Sequence, residues 1–260
     1  MPLDLSIAMA CKNNAATIEA TLRSVRELAS EIVAVDNGST DGTIEILERF
    51  GARVVRSEWL GHVKTKQKAL DATTRAWTLC IDTDESVQED LCKSIEQALE
   101  NGGDATVAGY EVNRKVWYAG GYLNYAWQPE WRLRLVRRER CAWGGMDPHD
   151  KMMPRKAGDR IERLNGVLRH DSFNTIEEQF AKQVNYARIS AQGMVAAGNR
   201  GSYWRLLTSP PAAFLKQMVI KQAFRDGWRG WAAAASIAAH AYTKHALVLE
   251  RARGQNAAKP

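Results

Sequence analysis

The sequence predicts an α/β fold in which a mainly parallel sheet is flanked by helices and followed by a C-terminal helical extension. Short apolar runs alternate with segments of helical periodicity through the first part of the chain, and acidic clusters follow two of these runs. Strands that alternate with helices form parallel sheets, which bind ligands outside the carboxyl ends of their strands. We therefore expect both acidic clusters to lie at one edge of the sheet.

Each element is predicted from a short stretch of sequence. The first helix has apolar residues three or four positions apart, which places them on one face. These residues are Ile18, Leu22, Val25 and Leu28. Strands are predicted at residues 3–10, 31–36, 52–57 and 77–82, and helices at residues 16–29, 42–50, 64–73 and 87–101. We assign residues 1–200 to one domain and residues 201–260 to the helical extension.

Composition indicates a globular protein that stays in the cytoplasm. The 260 residues are 45% hydrophobic and 25% charged, which is ordinary for a folded domain. The cysteines, Cys11, Cys80, Cys92 and Cys141, lack the paired spacing of a zinc site and the density of a disulfide scaffold. We therefore expect reduced thiols. Because Asp4 interrupts the first apolar run, we also expect no secretory signal.

The net charge of +6 is concentrated in the second half of the chain. The first 110 residues hold 18 of the 30 acidic residues, whereas "WRLRLVRRER" and the last hundred residues carry most of the surplus Lys and Arg. This asymmetry predicts a catalytic first half and a basic, aromatic-rich second half that meets an anionic partner. No recognised nucleic-acid-binding motif is present, and nucleic acid would not explain the acidic clusters.

The first acidic cluster lies in "AVDNGSTDGT". Ser39, Thr40 or Asp41 can cap the next helix. Asp36 precedes the turn, and we expect it to face the crevice and accept hydrogen bonds from a base or ribose. No Gly-x-Gly-x-x-Gly follows the first strand and no Gly-x-x-x-x-Gly-Lys-Ser/Thr occurs, so dinucleotide redox chemistry and P-loop phosphate binding are disfavoured.

The second cluster places Asp82, Asp84 and Glu85 directly after an apolar strand, in "WTLCIDTDES". Carboxylates this close repel one another, so they require a bound metal ion or cationic side chains nearby. An alternative is that Asp82, Asp84 and Ser86 cap the fourth helix.

Four stretches of the first half together resemble the family 2 glycosyltransferases, which have the GT-A fold and transfer a sugar from a nucleotide donor. They are "LSIAMACKNNAATIEATLRSV", "EIVAVDNGSTDGT", "GHVKTKQKALDAT" and "WTLCIDTDE". Later stretches, among them "WRLRLVRRERCAWGG", "DPHDKM" and "LRHDSFNTIEEQFAKQVNYA", resemble the bacterial branch that builds the lipopolysaccharide core. The resemblance covers nearly the whole chain.

The resemblance implies a divalent cation, Mg²⁺ or Mn²⁺, that bridges the donor phosphates and is bound by an Asp-x-Asp motif. Asp84 is then the direct ligand, with Asp82 on the ribose or on metal-bound water, and Glu85 pairs with a nearby Arg or Lys. Lys66 neutralises the donor phosphates, although it can also belong to a solvated basic helix face. The donor site implied in this way comprises Cys11, Asn13, Asp36, Lys66 and Asp82.

For inversion at the sugar, a base must take the proton of the acceptor hydroxyl. We assign Asp150 as this base, with His149 beside it. Arg132 and Arg134 alternate with apolar residues, so we place them on one strand face as ligands for an acceptor phosphate; alternatively they pair with Glu130 and Glu139. His170 is assigned a structural role, with contact to the diphosphate or metal as the alternative.

The last sixty residues are tryptophan-rich and basic but too polar for a confident transmembrane span. They predict either an element at the inner surface of the cytoplasmic membrane or a helical hairpin that packs on the protein. The resemblance implies inverting transfer of a hexose, with UDP-glucose as the expected donor and a heptose of the lipid-linked core as the expected acceptor. A phosphatase-type hydrolase with an Asp-x-Asp nucleophile and a non-catalytic membrane-surface module are the alternatives.

Overall fold

The computed structural model describes residues 2–146, 149–173 and 175–257, and for Met146, His149 and residues 254–257 it describes the backbone alone. The chain forms two compact units. The first comprises Met1–Arg114 and Glu130–His170, and the second comprises Lys115–Pro129 and Asp171–Pro260. The expected division of the chain at residue 200 stays a prediction.

All four predicted strand–helix pairs are present in the first unit. The strands of the chain are β1 Leu3–Cys11, β2 Ala29–Asp36, β3 Arg53–Arg56, β4 Trp77–Cys80, β5 Glu85–Val87, β6 Val107–Tyr118, β7 Gly121–Tyr122, β8 Trp131–Arg137, β9 Cys141–Met146, β10 His149–Pro154 and β11 Arg160–Phe173. The helices are α1 Ile18–Val25, α2 Thr43–Arg49, α3 His62–Asp71, α4 Glu89–Leu99, α5 Ile176–Ala196, α6 Tyr203–Leu215 and α7 Trp228–Ala257.

The main sheet combines a parallel half with an antiparallel half. Its strand order is β3-β2-β1-β4-β8-β6-β11-β5, and β7 pairs with β6. The first four strands in this order are parallel, whereas β8 is antiparallel to β4 and β6, and β5 is antiparallel to β11. The predicted α/β class is confirmed, and the later strands extend the parallel sheet at its β4 edge.

Burial follows the periodicity of the sequence. Ile18, Leu22 and Val25 are fully buried on one face of α1, as their spacing predicts. Strand β2 is buried over its last five residues, consistent with a parallel strand covered on both faces. The apolar core thereby holds the carboxyl ends of β1, β2 and β4 side by side, which is where the two acidic clusters begin.

The second unit contains α5, α6 and α7, so the predicted helical extension is present. A π-helical turn, Lys216–Ile220, and a 3-10 turn, Ala223–Asp226, connect α6 to α7. The Asp226 carboxylate accepts hydrogen bonds from the backbone N–H groups of Asn124, Tyr125 and Ala126. No helix of the described ranges is both long enough and apolar enough to cross a membrane.

Candidate active site

The two loops that follow β1 and β2 are connected by hydrogen bonds. Cys11 and Asp36 are partners in the β1–β2 register, and the Cys11 thiol lies 3.7 Å from Oδ1 of Asp36. Asn13 donates its backbone N–H to Ser39 Oγ and accepts the backbone N–H of Thr40. These contacts explain why Asn13 is held at a φ of 55°, a region that asparagine tolerates better than most residues.

The Asp36 carboxylate is almost fully buried and accepts the backbone N–H groups of Gly38 and Ser39. Burial by itself would raise the pKa of Asp36, but the hydrogen bonds from Ser39 and Gly38 outweigh it, so the pKa lies below the ordinary value. Asp41, not Asp36, contacts the start of α2, where it accepts the backbone N–H of Thr43.

A cleft of about 380 Å³ opens beside this turn. Its lining combines the predicted Asp36 with small residues of the turn and with polar residues at and after the end of β3. The lining residues are Asp36, Gly38, Ser39, Ile44, Arg56, Ser57 and Glu58. The position outside the carboxyl ends of parallel strands is where α/β sheets bind ligands, and the volume suits a small polar molecule.

The second acidic cluster forms a tight turn between β4 and β5. The Glu85 side chain is fully buried and its carboxylate accepts the backbone N–H of Asp82 at 2.9 Å. Helix α4 begins after Gln88 without a side-chain cap, so the alternative in which Asp82, Asp84 and Ser86 cap it is wrong. The turn is instead built around the buried carboxylate of Glu85.

Acids and bases alternate in one chain of ion pairs through this turn. The links join Asp150 to Lys66 (3.0 Å), Lys66 to Asp82 (2.6 Å), Asp82 to Arg134 (3.2 Å), Arg134 to Glu85 (3.3 Å), Glu85 to Arg114 (3.4 Å), Arg114 to Glu130 (2.8 Å) and Glu130 to Arg132 (2.6 Å). The expected pairing of Glu85 with a basic side chain is confirmed. Cationic side chains therefore compensate Asp82 and Glu85.

The buried ion pairs set the protonation of their members. Burial disfavours charged Asp82, yet Lys66 and Arg134 overcome this and hold the pKa of Asp82 far below its ordinary value. Burial likewise opposes the charge on Lys66, but Asp82 and Asp150 raise its pKa above the ordinary value. Asp82 is thus an anion and Lys66 a cation at neutral pH.

Asp84 stands apart from this chain and faces His170. Its Oδ2 atom lies 3.4 Å from Nε2 of His170, because the antiparallel pairing of β5 with β11 sets His170 opposite Glu85. A carboxylate oxygen and an imidazole nitrogen at this separation fit a divalent cation that takes its remaining ligands from phosphates and water. Among the described residues, no three His, Cys, Asp or Glu side chains converge to form a metal site without such a ligand.

A break in the β6–β8 register decides where Arg134 lies. Tyr110 is paired with Leu135 and Glu111 with Leu133, so Arg134 is the extra residue of a β-bulge and has no ladder partner in β6. Bulges re-aim side chains, and Arg134 is buried against Asp82 and Glu85. The expectation that Arg132 and Arg134 bind an acceptor phosphate stays a prediction. Arg132 is partly exposed and pairs with Glu130, which was the alternative.

Asp150 reaches the site from a two-stranded hairpin formed by β9 and β10. On the same hairpin, Trp143 places its ring beneath two cations, with Lys66 Nζ 4.8 Å and the Arg134 guanidinium carbon 5.4 Å from its centroid. His149 lies in β10 next to Asp150, and its side chain is outside the described residues. The predicted roles of Asp150 and His149 stay predictions.

The structure brings together eight of the ten predicted site residues in two groups: Cys11, Asn13 and Asp36 in the loops that follow β1 and β2, and Lys66, Asp82, Arg132, Arg134 and Asp150 in the ion-pair chain. Sequence reasoning missed Arg114, Glu130 as a link in the chain, and Trp143. It gave His170 a structural role. All four residues are distant in sequence from the acids of the turn after β4. Only the resemblance in "LRHDSF" drew attention to His170.

Residues 6–161 match the sequence profile of "Glycosyl transferase family 2". The lipopolysaccharide core biosynthesis glycosyltransferase LpsC of Rhizobium meliloti is 28% identical over 96% of this chain and 93% of its own. An uncharacterized glycosyltransferase of Rickettsia typhi is 29% identical over 87% of this chain and 80% of its own. A mannosyltransferase of Pyrobaculum calidifontis, solved with GDP-Man and Mn²⁺, has 18% identity and a TM-score of 0.48 over 99% of this chain and 81% of its own.

Proposed function

Since this chain belongs to glycosyl transferase family 2, we propose that it transfers a hexose from a nucleoside-diphosphate sugar, with inversion, to a lipid-linked saccharide of the lipopolysaccharide core. The observation that carries the proposal is the placement of Asp84 opposite His170, beside the ion pairs of Lys66 with Asp82 and Asp150. This arrangement places a candidate cation site, a lysine that can neutralise the donor phosphates and a candidate base next to one another.

The donor is proposed to lie across the carboxyl ends of β1, β2 and β4. Its nucleoside occupies the cleft lined by Asp36, with Cys11 and Asn13 behind the same turn. Its diphosphate extends to the turn after β4, where Lys66 supplies a positive charge. Lys66 already contacts two carboxylates, so a diphosphate replaces one anionic partner with another at little cost in charge balance.

Asp84 and His170 are proposed to hold a Mg²⁺ or Mn²⁺ ion. Such an ion stabilises the negative charge that develops on a nucleoside-diphosphate leaving group. Asp82, whose two carboxylate oxygens are engaged by Lys66 and Arg134, positions the turn and contacts the ribose or water.

In the chemical step, the acceptor hydroxyl oxygen bonds to the anomeric carbon as the bond from that carbon to the diphosphate oxygen breaks. Asp150 takes the hydroxyl proton, and the electron pair of the broken bond leaves with the diphosphate. The carboxylate lies 3.0 Å from Lys66 and is only slightly exposed, so it is held in place at the edge of the site. Arg132, whose side chain is partly exposed, is proposed to contact a phosphate of the acceptor.

Similarity to LpsC over almost the whole length of both chains supports an acceptor in the lipopolysaccharide core. UDP-glucose as donor and a heptose as acceptor are our leading choices. Because such an acceptor is anchored in lipid, we propose that the protein works at the cytoplasmic membrane surface as a peripheral protein.

Thermal unfolding in a panel of nucleotide sugars, with and without Mn²⁺, tests this function. The donor at about a hundred times its dissociation constant should stabilise the protein by about 2.7 kcal/mol, and only with the cation. Absence of any stabilisation by every nucleotide sugar would overturn the proposal. Cleavage with release of inorganic phosphate would favour the phosphatase-type alternative.

A further inference from the structure

The second unit exposes a row of large apolar side chains. On α6, Trp204, Leu207 and Leu215 are 75%, 69% and 57% exposed, and Pro211 between them is exposed as well. Positions three or four apart lie on one face of a helix, so these four side chains form a single stripe. None of the residues of α6 is buried, and Phe214, beside the stripe, is only partly buried against the core of the unit.

Large apolar side chains are also exposed in the segment that follows the helix. Val219 and Ile220 in the π-helical turn are 68% and 72% exposed, and Phe224, Trp228 and Trp231 are each more than half exposed. Single exposed apolar residues are common, whereas so many in one short segment mark an interaction site. We name the surface formed by residues 203–231 the apolar ridge.

The charge of the ridge identifies its partner. Residues 203–231 contain five basic residues and one acid. The basic residues are Arg205, Lys216, Lys221, Arg225 and Arg229. The acid, Asp226, is engaged by three backbone N–H groups and does not offset the surface charge. A second copy docked through the same patch would oppose two basic surfaces, whereas an anionic lipid surface complements both the charge and the apolar stripe.

We infer that the apolar ridge is the membrane-docking surface of this protein, and that its tryptophan and aliphatic side chains enter the lipid while its basic side chains contact anionic headgroups. This specifies the membrane association of the proposed function. Because apolar burial as well as charge then contributes, binding to anionic vesicles resists salt more than a purely electrostatic contact does.

The test is flotation of the full chain with vesicles of phosphatidylcholine alone or mixed with phosphatidylglycerol. The unsubstituted protein should float with the mixed vesicles, and a part should stay bound in 1 M NaCl, where the Debye length is about 3 Å. The triple variant Trp204→Ser/Leu207→Ser/Leu215→Ser should lose partitioning by roughly tenfold or more, since it no longer buries three large side chains. Arg205→Glu/Lys216→Glu should lose the preference for phosphatidylglycerol.

The matched control is Phe180→Ser/Val184→Ser/Tyr186→Ser on α5, whose replaced side chains are also exposed in the same unit. This variant should partition like the unsubstituted protein. Failure of the unsubstituted protein to float at low salt, or equal flotation of both triple variants, would overturn the inference. So would a dimer in sedimentation equilibrium that the α6 variant abolishes, which would identify a second copy as the partner. Stabilisation of each variant by nucleotide sugar is measured separately, so loss of docking and failure of the proposed donor chemistry are distinguishable.

Discussion

The Nε2 atom of His170 lies 3.4 Å from Oδ2 of Asp84, although the two residues are 86 positions apart in the chain. The contact depends on the antiparallel pairing of β5 with β11. Asp84 thus faces a histidine, whereas both carboxylate oxygens of Asp82 form ion pairs with Lys66 and Arg134. The two aspartates, which are separated by one residue, therefore have different surroundings, and we expect them to have different roles.

The first prediction concerns the cation. Asp84→Asn and His170→Ala should each raise the donor dissociation constant measured in Mn²⁺ to the value measured in EDTA, because each removes one proposed ligand. Isothermal titration calorimetry with the nucleotide sugar identified by thermal unfolding measures this. His62→Ala, an exposed histidine on α3, is the control and should bind as the unsubstituted protein does. Full donor affinity of the unsubstituted protein in EDTA would contradict the prediction.

The second prediction concerns the base. Asp150→Asn keeps the size of the side chain and its reach to Lys66 but cannot accept the proton, so transfer should fall by roughly 10²- to 10⁴-fold with donor binding preserved. A radiolabelled-donor transfer assay measures the rate. Asp147→Asn, at a position outside the described residues, serves as control and should be tolerated. A slow Asp147→Asn beside a normal Asp150→Asn would move the base to Asp147.

The third prediction concerns stability. Glu85→Ala should lower the free energy of unfolding by roughly 3–5 kcal/mol, because the buried Arg114 and Arg134 lose the carboxylate with which both form ion pairs. Urea unfolding followed by circular dichroism measures the shift. Glu89→Ala, which breaks an exposed pair with Lys93 on α4, should leave the urea midpoint nearly unchanged. Equal midpoints for the two variants would show that the Glu85 pairs contribute little.

The fourth prediction concerns pH. The pKa of Asp82 is lower in the folded protein than in the unfolded chain, where it is about 3.9. The unfolded chain therefore takes up the proton first as the pH falls. The stability that Asp82 contributes is complete above about pH 4 and is lost as the pH drops toward the folded pKa. Unfolding in urea over a series of acidic pH values should show a steeper loss below pH 4 in the unsubstituted protein than in Asp82→Asn, and parallel curves would exclude this linkage.

How much of the site could be predicted depended on distance along the chain. The turn residues after β2 and β4 follow directly from local pattern, because an apolar strand that ends in acids places them at a sheet edge whatever the rest of the chain does. The link from Asp150 to Lys66 was not predictable in this way. It requires the β9–β10 hairpin to lie over α3, and no local signal encodes that packing.

The sequence by itself determined the α/β fold, the order of the first four strand–helix pairs and, through its motifs, the family, since periodicity, turn residues and motif order are local properties. Only the tertiary structure decided which cation faces which acid. The bulge that aims Arg134 at Asp82, the pairing that brings His170 to Asp84, and the exposure of Trp204 all depend on contacts between distant segments. Those contacts are set by register and by the competition between neighbouring surfaces for burial, which a single stretch of sequence does not contain.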